Sequence, residues 1–454
     1  MKRVTSIILL LLSATAGRAG AQPASIRLTL DEAIARGLDA SHHLAELAAR
    51  EDAANAAQDA TRASSMPQLT LLGGYTRTNH VDEFGIQLPG GPLRVIYPDV
   101  PDNYRSRLDL QWPIYTAGRV PALTRAAGAE ARATDQDRAG ARADLKLEIT
   151  RAYWAVITAR ASANVLQGAL DRIGAHLSDV RNELAVGLVP PNDVLSVQAQ
   201  QSHQRMLLIE AQNMVETTAA DLRRLVGLTP DTPFDLADSL ENPPAPSPQV
   251  TSLQVTSLQV TSLQVTSVID DARAHRSERQ ALQLRITAAG ERTTAAEAAR
   301  RPVVSVAGGY TEARPNPSIF PRAAEWNTSW DASLNVSWSL WDGGRTRADI
   351  AQAGANHRAA EQRLLEFDTV LDVEVRQRAL DVASAPASIA AADDGVTSAA
   401  EARRVVTERF AAGVATNTDV LDAQVALLSA ELDRTRALAN ARLAAARLDR
   451  ALGR

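Results

Sequence analysis

Apolar residues recur at alternating intervals of four and three positions through residues 145–184. This spacing places them on one stripe of an α-helix and is typical of a coiled-coil seam. A helix from about Pro121 to Val186 would be on the order of 100 Å long at ~1.5 Å per residue, so it must pack along other helices. The seam positions are Leu145, Ile149, Ala152, Val156, Ala159, Ala163, Leu166, Leu170, Ile173, Leu177, Val180 and Leu184.

A second seam with the same register follows 226 residues later. Two arginines interrupt it, and Pro386 predicts a kink or a local break in the second long helix. Both halves of the chain are therefore expected to build the same kind of rod. The positions are Leu371, Val375, Arg378, Val382, Ala385, Ile389, Ala392, Val396, Ala399, Arg403, Val406 and Phe410.

The two seams belong to an internal duplication. Gly187 and Gly413 each stand six residues before an Asp-Val-Leu triplet, again 226 residues apart. Each half is predicted to run helix, strand, loop, strand, very long helix, turn and returning helix. The shorter helices are expected at about 30–64 and 268–300, and the returning helices at about 192–226 and 418–452. Further matches at the same offset are Trp112 with Trp338, Gly118 with Gly344, and Arg119 with Arg345.

Polar and apolar residues alternate along the second strand of each half. Such alternation predicts a membrane barrel wall with an apolar outside and a polar inside, although a half-buried sheet on a soluble core shows the same pattern. Four strands per chain are too few to close a barrel, so closure requires several chains, and a trimer would supply twelve strands. The expected lipid-facing and girdle residues are Leu108, Leu110, Trp112, Ile114, Tyr115, Leu334, Val336, Trp338, Leu340 and Trp341.

The ends and the middle of the chain complete the predicted organisation. Residues 1–21 resemble a secretory signal, with Lys2 and Arg3 before an apolar core and Ala19-Gly20-Ala21 at the cleavage site. The first structural repeat is then 22–241, a Pro-rich and Leu-Gln-Val-Thr-Ser repeat linker is 242–267, and the second repeat is 268–454. The five-residue repeat is low-complexity sequence, expected to form a short strand or an extended tail.

Composition excludes several classes of function. The chain has no cysteine, so it has no disulfide framework. Its net charge of −5 becomes −8 when Lys2, Arg3 and Arg18 leave with the signal, which argues against a nucleic-acid partner. We find no nucleophile motif, phosphate-binding loop or metal-spaced histidine set, so we predict neither an enzyme nor a cofactor or metal site.

Taken together, these motifs resemble the TolC-type outer membrane efflux proteins. The resemblance covers about residues 26–453 and rests on the order and duplicate spacing of weak motifs, including Trp-Pro-Ile-Tyr-Thr-Ala-Gly and Trp-Ser-Leu-Trp-Asp-Gly-Gly. It implies an α+β membrane protein and a homotrimer. Long coiled-coil hairpins would form a periplasmic tunnel, and a twelve-stranded β-barrel would cross the outer-membrane lipid. A periplasmic adaptor (membrane fusion protein) and an inner-membrane transporter would be its partners.

The resemblance also assigns residues to a periplasmic entrance. Asp419 and Asp422 stand where the family has an aspartate pair that lines the constriction, and Asp193 is the first-repeat equivalent. An acidic residue in the first helical turn also caps the helix, so capping alone remains an alternative for all three. The family's aromatic hydroxyl and arginine fall on Phe410 and Ala415, which cannot form that lock. Apolar packing of Phe410, or Arg409 or Arg403, is the expected replacement.

The tips of the two hairpins match the family segment that meets the adaptor. Glycine in these turns would allow another helix tip to approach closely, although simple helix termination explains it equally well. The tip residues are Val186, Gly187, Leu188, Gly413 and Val414.

These observations predict the outer-membrane exit duct of a tripartite efflux or type I secretion system, which conducts substrate passively from an inner-membrane pump. The main alternative is an exported coiled-coil envelope scaffold or adhesin without a channel. The duplicated alternating strands argue against that alternative.

Overall fold

The computed structural model describes residues 26–241 and 262–454. The predicted signal and residues 242–261 of the predicted linker lie outside the described residues. No helix within the described ranges is long and apolar enough to cross a membrane.

The first half contains two short helices, four strands and a long helical hairpin, with a short strand at either end. The predicted rod from about Pro121 to Val186 is observed at almost the same limits. The elements are β1 (Ile26–Leu28), α1 (Leu30–Ala40), α2 (His42–Ala63), β2 (Gln68–Arg77), β3 (Phe84–Gln87), β4 (Leu93–Tyr97), β5 (Asp102–Tyr115), α3 (Arg119–Ala185), α4 (Pro191–Leu225) and β6 (Phe234–Leu236).

Among the described residues, the second half repeats the two short helices, the two long strands and the helical hairpin, without counterparts of β1, β3, β4 and β6. Its long and returning helices have 67 and 35 residues, the same lengths as α3 and α4. The elements are α5 (Ser262–His275), α6 (Ser277–Glu297), a 3₁₀ turn (Ala298–Arg300), β7 (Val303–Arg314), β8 (Asn327–Ser337), α7 (Arg345–Ala411) and α8 (Asn417–Ala451).

Both predicted shorter helices are broken near their first third. The breaks fall at Ser41 and Arg276, where the backbone is extended. These two residues are 235 positions apart, as are the two Gly-Gly-Tyr-Thr segments at 73–76 and 308–311. At the second break, the buried Arg276 guanidinium donates a 2.7 Å hydrogen bond to the Arg450 carbonyl. The same guanidinium pairs with Glu278 at 3.1 Å and with Glu374 at 3.2 Å. These contacts hold the buried charge of Arg276 in place, and a continuous periodic pattern does not reveal them.

Two other expectations differ from the structure. Residues 262–267 of the five-residue repeat are helical rather than a strand or an extended tail, because they continue the helix whose Ile269 and Ala272 are buried. The α7 helix also continues through Pro386, so the expected local break is not observed, and a kink there stays a prediction. A proline removes only one backbone donor, and the turns on both sides of Pro386 keep the helix intact.

By its contacts the chain forms two compact units, which are described separately. Among the described residues, one comprises 26–41, 145–241 and 381–447, and the other comprises 42–144, 262–380 and 448–454. The first unit is mainly helical, also contains the parallel pair β1–β6, and has an apolar cluster around Ile149, Tyr153 and Leu222. The Tyr153 hydroxyl donates to Asp238 at 2.7 Å and contacts the Leu28 carbonyl at 3.1 Å, and burial raises its pKa above the ordinary value.

The second unit contains a four-stranded antiparallel sheet in the order β2-β5-β7-β8. Its register places Leu108 opposite both Leu71 and Tyr310, so one face of the sheet is apolar and exposed in the single chain. Leu110, Trp112, Leu334 and Val336 lie in these strands as expected. In contrast, β8 ends at Ser337, so Trp338, Leu340 and Trp341 lie beyond the strand. A register shift between Pro113 and Tyr115 leaves Ile114 outside the β5–β7 pairing.

An arginine bridges three strands on the opposite, polar face of this sheet. Arg107 of β5 contacts Asp109 on its own strand at 2.6 Å, Thr311 of β7 at 3.1 Å and Asp331 of β8 at 2.8 Å. The guanidinium lies over Gly309 of β7, where an added Cβ would overlap its Nη2 atom. Glycine at this position is what allows the arginine to lie flat across the sheet.

We expect Gly309→Ala to displace Arg107 and to lower the Tm of the folded protein, because the new methyl group occupies the guanidinium position. Gly74→Ala is the matched control, since Gly74 lies on the same face and has nothing within 4 Å of an added Cβ. Thermal unfolding followed by circular dichroism in detergent gives both values. Equal Tm values for the two variants would contradict a close contact at Gly309.

Candidate functional site

Four helix ends of the helical unit share one apolar cluster. Its buried residues come from the last turns of α3 and the first turns of α4. Phe410 of α7 and Leu421 of α8 pack against this cluster. Apolar packing of Phe410 is thus present, as the sequence predicted for a chain without an aromatic hydroxyl at this position. The buried members are Ile173, Leu177, Val180, Val194 and Val197.

The two hairpin turns have the same backbone structure. The Leu188 N–H donates to the Glu183 carbonyl at 2.9 Å, and the Val414 N–H donates to the Arg409 carbonyl at the same distance. Gly187 and Gly413 stand between donor and acceptor with φ of 77° and 73°. These are Schellman motifs, in which glycine adopts the left-handed conformation that ends a helix.

The apolar side chains beside these glycines point to solvent. Val186, Leu188 and Val414 are 71%, 75% and 63% exposed in the single chain. Two tips that carry exposed aliphatic side chains can each present a small apolar surface. Contact of these tips with an adaptor stays a prediction. The backbone hydrogen bonds around Gly187 and Gly413 support a role in ending the helices.

Asp419 is part of a reciprocal helix cap. Its carboxylate accepts the Thr416 N–H at 2.8 Å and the Thr416 hydroxyl at 2.7 Å, while the Asp419 N–H donates back to that hydroxyl at 3.2 Å. These bonds, the backbone one first, lower the pKa of Asp419, and the positive charge of Arg409 adds a smaller effect. The capping alternative therefore has direct support for Asp419.

Asp422 and Asp193 differ from Asp419 in their surroundings. Asp422 is exposed on the next turn of α8, and no hydrogen bond or ion pair joins it to another residue of the described ranges. Asp193 lies half-buried in the first turn of α4, and its backbone carbonyl accepts the Asn417 side-chain N–H at 3.3 Å. Neither carboxylate is bonded to another described residue, but Asp193 lies in a first helical turn, where its charge complements the helix dipole, and Asp422 does not.

The arginines expected as replacements for the family's lock make no such ion pair with residues 26–241 or 262–454. Arg403 has a buried Nε atom with no hydrogen-bond partner in the described part of the chain. Arg409 acts on Asp419 only through its charge. Sequence reasoning missed a different pair: His176 of α3 and Asn417 of α8 form a buried 2.8 Å hydrogen bond. His176 precedes a seam position, and periodicity has no means of showing what it contacts.

The cap predicts a pH dependence. A carboxylate with a lowered folded-state pKa stabilises the fold fully above its unfolded pKa, and this contribution is lost as the pH falls through the folded value. We expect Asp419→Ala to lower the Tm at pH 7, and the difference from the wild type to shrink below about pH 4. Thermal scans at pH 7 and pH 3 measure it, with Asp433→Ala on an exposed turn of α8 as the control. A difference that stays constant with pH would exclude the ionised cap.

Alanine substitution should have opposite effects on stability at a turn glycine and at a glycine inside a helix. Gly413→Ala should destabilise the protein by about 1–2 kcal/mol, because alanine is strained at positive φ. Gly395→Ala should raise stability by up to about 1 kcal/mol, because Gly395 is inside α7 with nothing within 4 Å of an added Cβ. Chemical unfolding of the two variants measures both changes. A neutral Gly413→Ala would show that this turn relaxes without cost.

Comparison with known proteins identifies the architecture. The model of the outer membrane efflux protein family matches residues 33–228 and 268–454. Protein CyaE of Bordetella pertussis is 26% identical over 425 residues, which cover 91% of this chain and 83% of that protein. Outer membrane protein TolC of Vibrio cholerae is 23% identical over 418 residues, which cover 90% and 87%.

Solved structures share the fold. The crystal structure of outer membrane protein VceC from Vibrio cholerae superposes with a TM-score of 0.75 at 20% identity, covering 93% of this chain and 96% of that one. The family match includes both long hairpins and all four strands of the main sheet. The chain belongs to the outer membrane efflux protein family, whose TolC-like members are outer-membrane channels with a periplasmic extension.

Proposed function

We propose that three copies of this chain form the exit duct of a tripartite efflux or type I secretion system. The duct conducts substrate passively, and an inner-membrane transporter supplies the energy through a periplasmic adaptor. One observation carries this proposal. Each half of the chain connects strands of a sheet with an exposed apolar face to a 67-residue helix. A rod of that length suits a conduit that spans a wide compartment.

The open sheet supports assembly into a barrel. Its two outer strands, β2 and β8, each pair on one side only in the single chain. Unpaired strand edges inside a membrane leave backbone groups without partners, so the edges must join those of other copies. Three copies of four strands give twelve, which is within the range of closed membrane barrels.

The polar face would then line the barrel. Arg107 between Asp109 and Asp331 places two carboxylates and one guanidinium on that face in each copy. The paired charges keep the lining hydrophilic, and Arg105 on the same face offsets the second carboxylate. A lining of this kind favours water-filled passage over a bound ligand.

The entrance assignment divides between the two aspartates of α8. The Asp419 carboxylate accepts two hydrogen bonds from Thr416, whereas Asp422 is exposed and has no hydrogen bond among the described residues. A ring of three Asp422 carboxylates in a narrow lumen would repel one another and attract cations. We therefore assign cation preference to Asp422 and helix capping to Asp419.

Planar-bilayer recordings of the purified mature protein test this assignment. We expect the wild type to form a small cation-selective pore that multivalent cations block. Asp422→Ala should weaken both the selectivity and the block, because it removes the unpaired carboxylate, and Asp419→Ala should change them less. Asp433→Ala removes an exposed carboxylate further along α8 and is the control for a general change in charge.

Two outcomes would revise the proposal. Selectivity that is the same in wild type and Asp422→Ala keeps the duct but removes the acidic entrance. Folded protein that forms no pore at all favours the alternative of an exported coiled-coil scaffold or adhesin.

A further inference from the structure

A buried hydrogen bond connects two helices near the predicted entrance. His176 Nε2 of α3 and Asn417 Oδ1 of α8 are 2.8 Å apart. Only 6% of His176 and 4% of Asn417 is exposed, so water does not compete for this bond. A bond of this kind is costly to break, because each separated group would remain buried without a partner.

The bond continues to a third helix. The Asn417 side-chain nitrogen donates to the Asp193 backbone carbonyl in the first turn of α4, at 3.3 Å. This contact orients the amide so that its oxygen faces the imidazole, and His176 Nε2 must therefore carry the proton. One asparagine thus accepts from α3 and donates to α4.

A fourth helix closes the site with an aromatic side chain. The rings of His176 and of Phe410 in α7 pack edge to face, with their centroids 5.5 Å apart and their planes at 71°. Edge-to-face packing restricts the rotation of the imidazole. The four helix ends therefore meet around a single histidine whose donor is aimed at Asn417.

This arrangement occurs once among the duplicated positions that the structure describes. At the repeat offset of 226, Ala402 corresponds to His176, and Pro191 corresponds to Asn417. Neither alanine nor proline has a side-chain polar group. The α4 helix also begins after Pro190, which makes no side-chain cap, and the Asn417 bond ties its first turn to α8.

We infer that His176 and Asn417 are positioning residues that hold the first turn of α8 against α3 and α4. Asn417 is the first residue of α8, and Asp419 and Asp422 follow within the next two turns. Rotation or outward movement of this turn must break the bonds of Asn417. The pair acts in place of the aromatic hydroxyl and arginine that Phe410 and Ala415 do not provide. The consequence for conduction rests on the proposed channel function.

The experiment compares four full-length mature proteins by two measurements. The variants are Asn417→Leu, the double variant His176→Leu/Asn417→Leu, and Asn192→Leu as the control. Asn192 is exposed in the first turn of α4, so its replacement is the same chemical change outside the bonded group. Backbone amide exchange of residues 417–422, read by mass spectrometry, reports local opening, and bilayer conductance reports the state of the entrance.

We expect Asn417→Leu to speed exchange of this segment roughly tenfold and to raise the closed-state conductance, because two bonds are lost. The double variant should recover much of the Tm, since replacing both partners with apolar groups leaves no unpaired donor. It should still exchange faster and conduct more than the wild type. Asn192→Leu should match the wild type in both measurements.

Wild-type exchange and conductance in a double variant with recovered Tm would overturn the inference and leave the pair as packing only. If Asn417→Leu does not fold, the double variant decides alone. Faster exchange in the Asn417 variants, with no conductance from any of the four proteins, would reject the channel function and retain the positioning role.

Discussion

A helix of 67 residues has far more surface than its own turns can cover, and this constraint shapes the rest of the chain. The apolar seam of α3 must lie against neighbouring helices, and the returning α4 and the second hairpin supply them. Buried residues such as Ile149, Val156 and Ile173 follow that seam over many turns. Alanine at other seam positions keeps the contacting helices close. The helical unit is stabilised along its length rather than around one central core.

The same requirement for partners applies to the sheet, but with a different physical origin. Its exposed apolar face contains residues such as Leu71 and Trp330, which water solvates poorly. Its polar face is held by Arg107, whose position depends on the absence of a side chain at Gly309. One surface thus suits lipid and the other suits water. The four strands satisfy both only when the edges of the sheet are closed.

Sequence patterns predicted the elements that depend on repetition. The seam period identified α3 and α7, alternation identified β5 and β8, and glycine at the ends of the long helices identified the turns. Patterns did not predict the breaks at Ser41 and Arg276, and at Arg276 the buried guanidinium bonds to a carbonyl 174 positions away. They also did not reveal the bond between His176 and Asn417, which joins residues 241 positions apart. Individual polar contacts of this kind have no period.

The equal lengths of the two hairpins have a consequence for how this chain tolerates change. The long helices have 67 residues each and the returning helices 35 residues each, although most residues differ between the two halves. Substitution along a rod alters a local contact, whereas insertion of a single residue rotates everything beyond it by about 100° around the helix axis. The long helices should therefore tolerate substitutions more readily than insertions or deletions. Natural length changes should occur in whole heptads, and in both helices of a hairpin together.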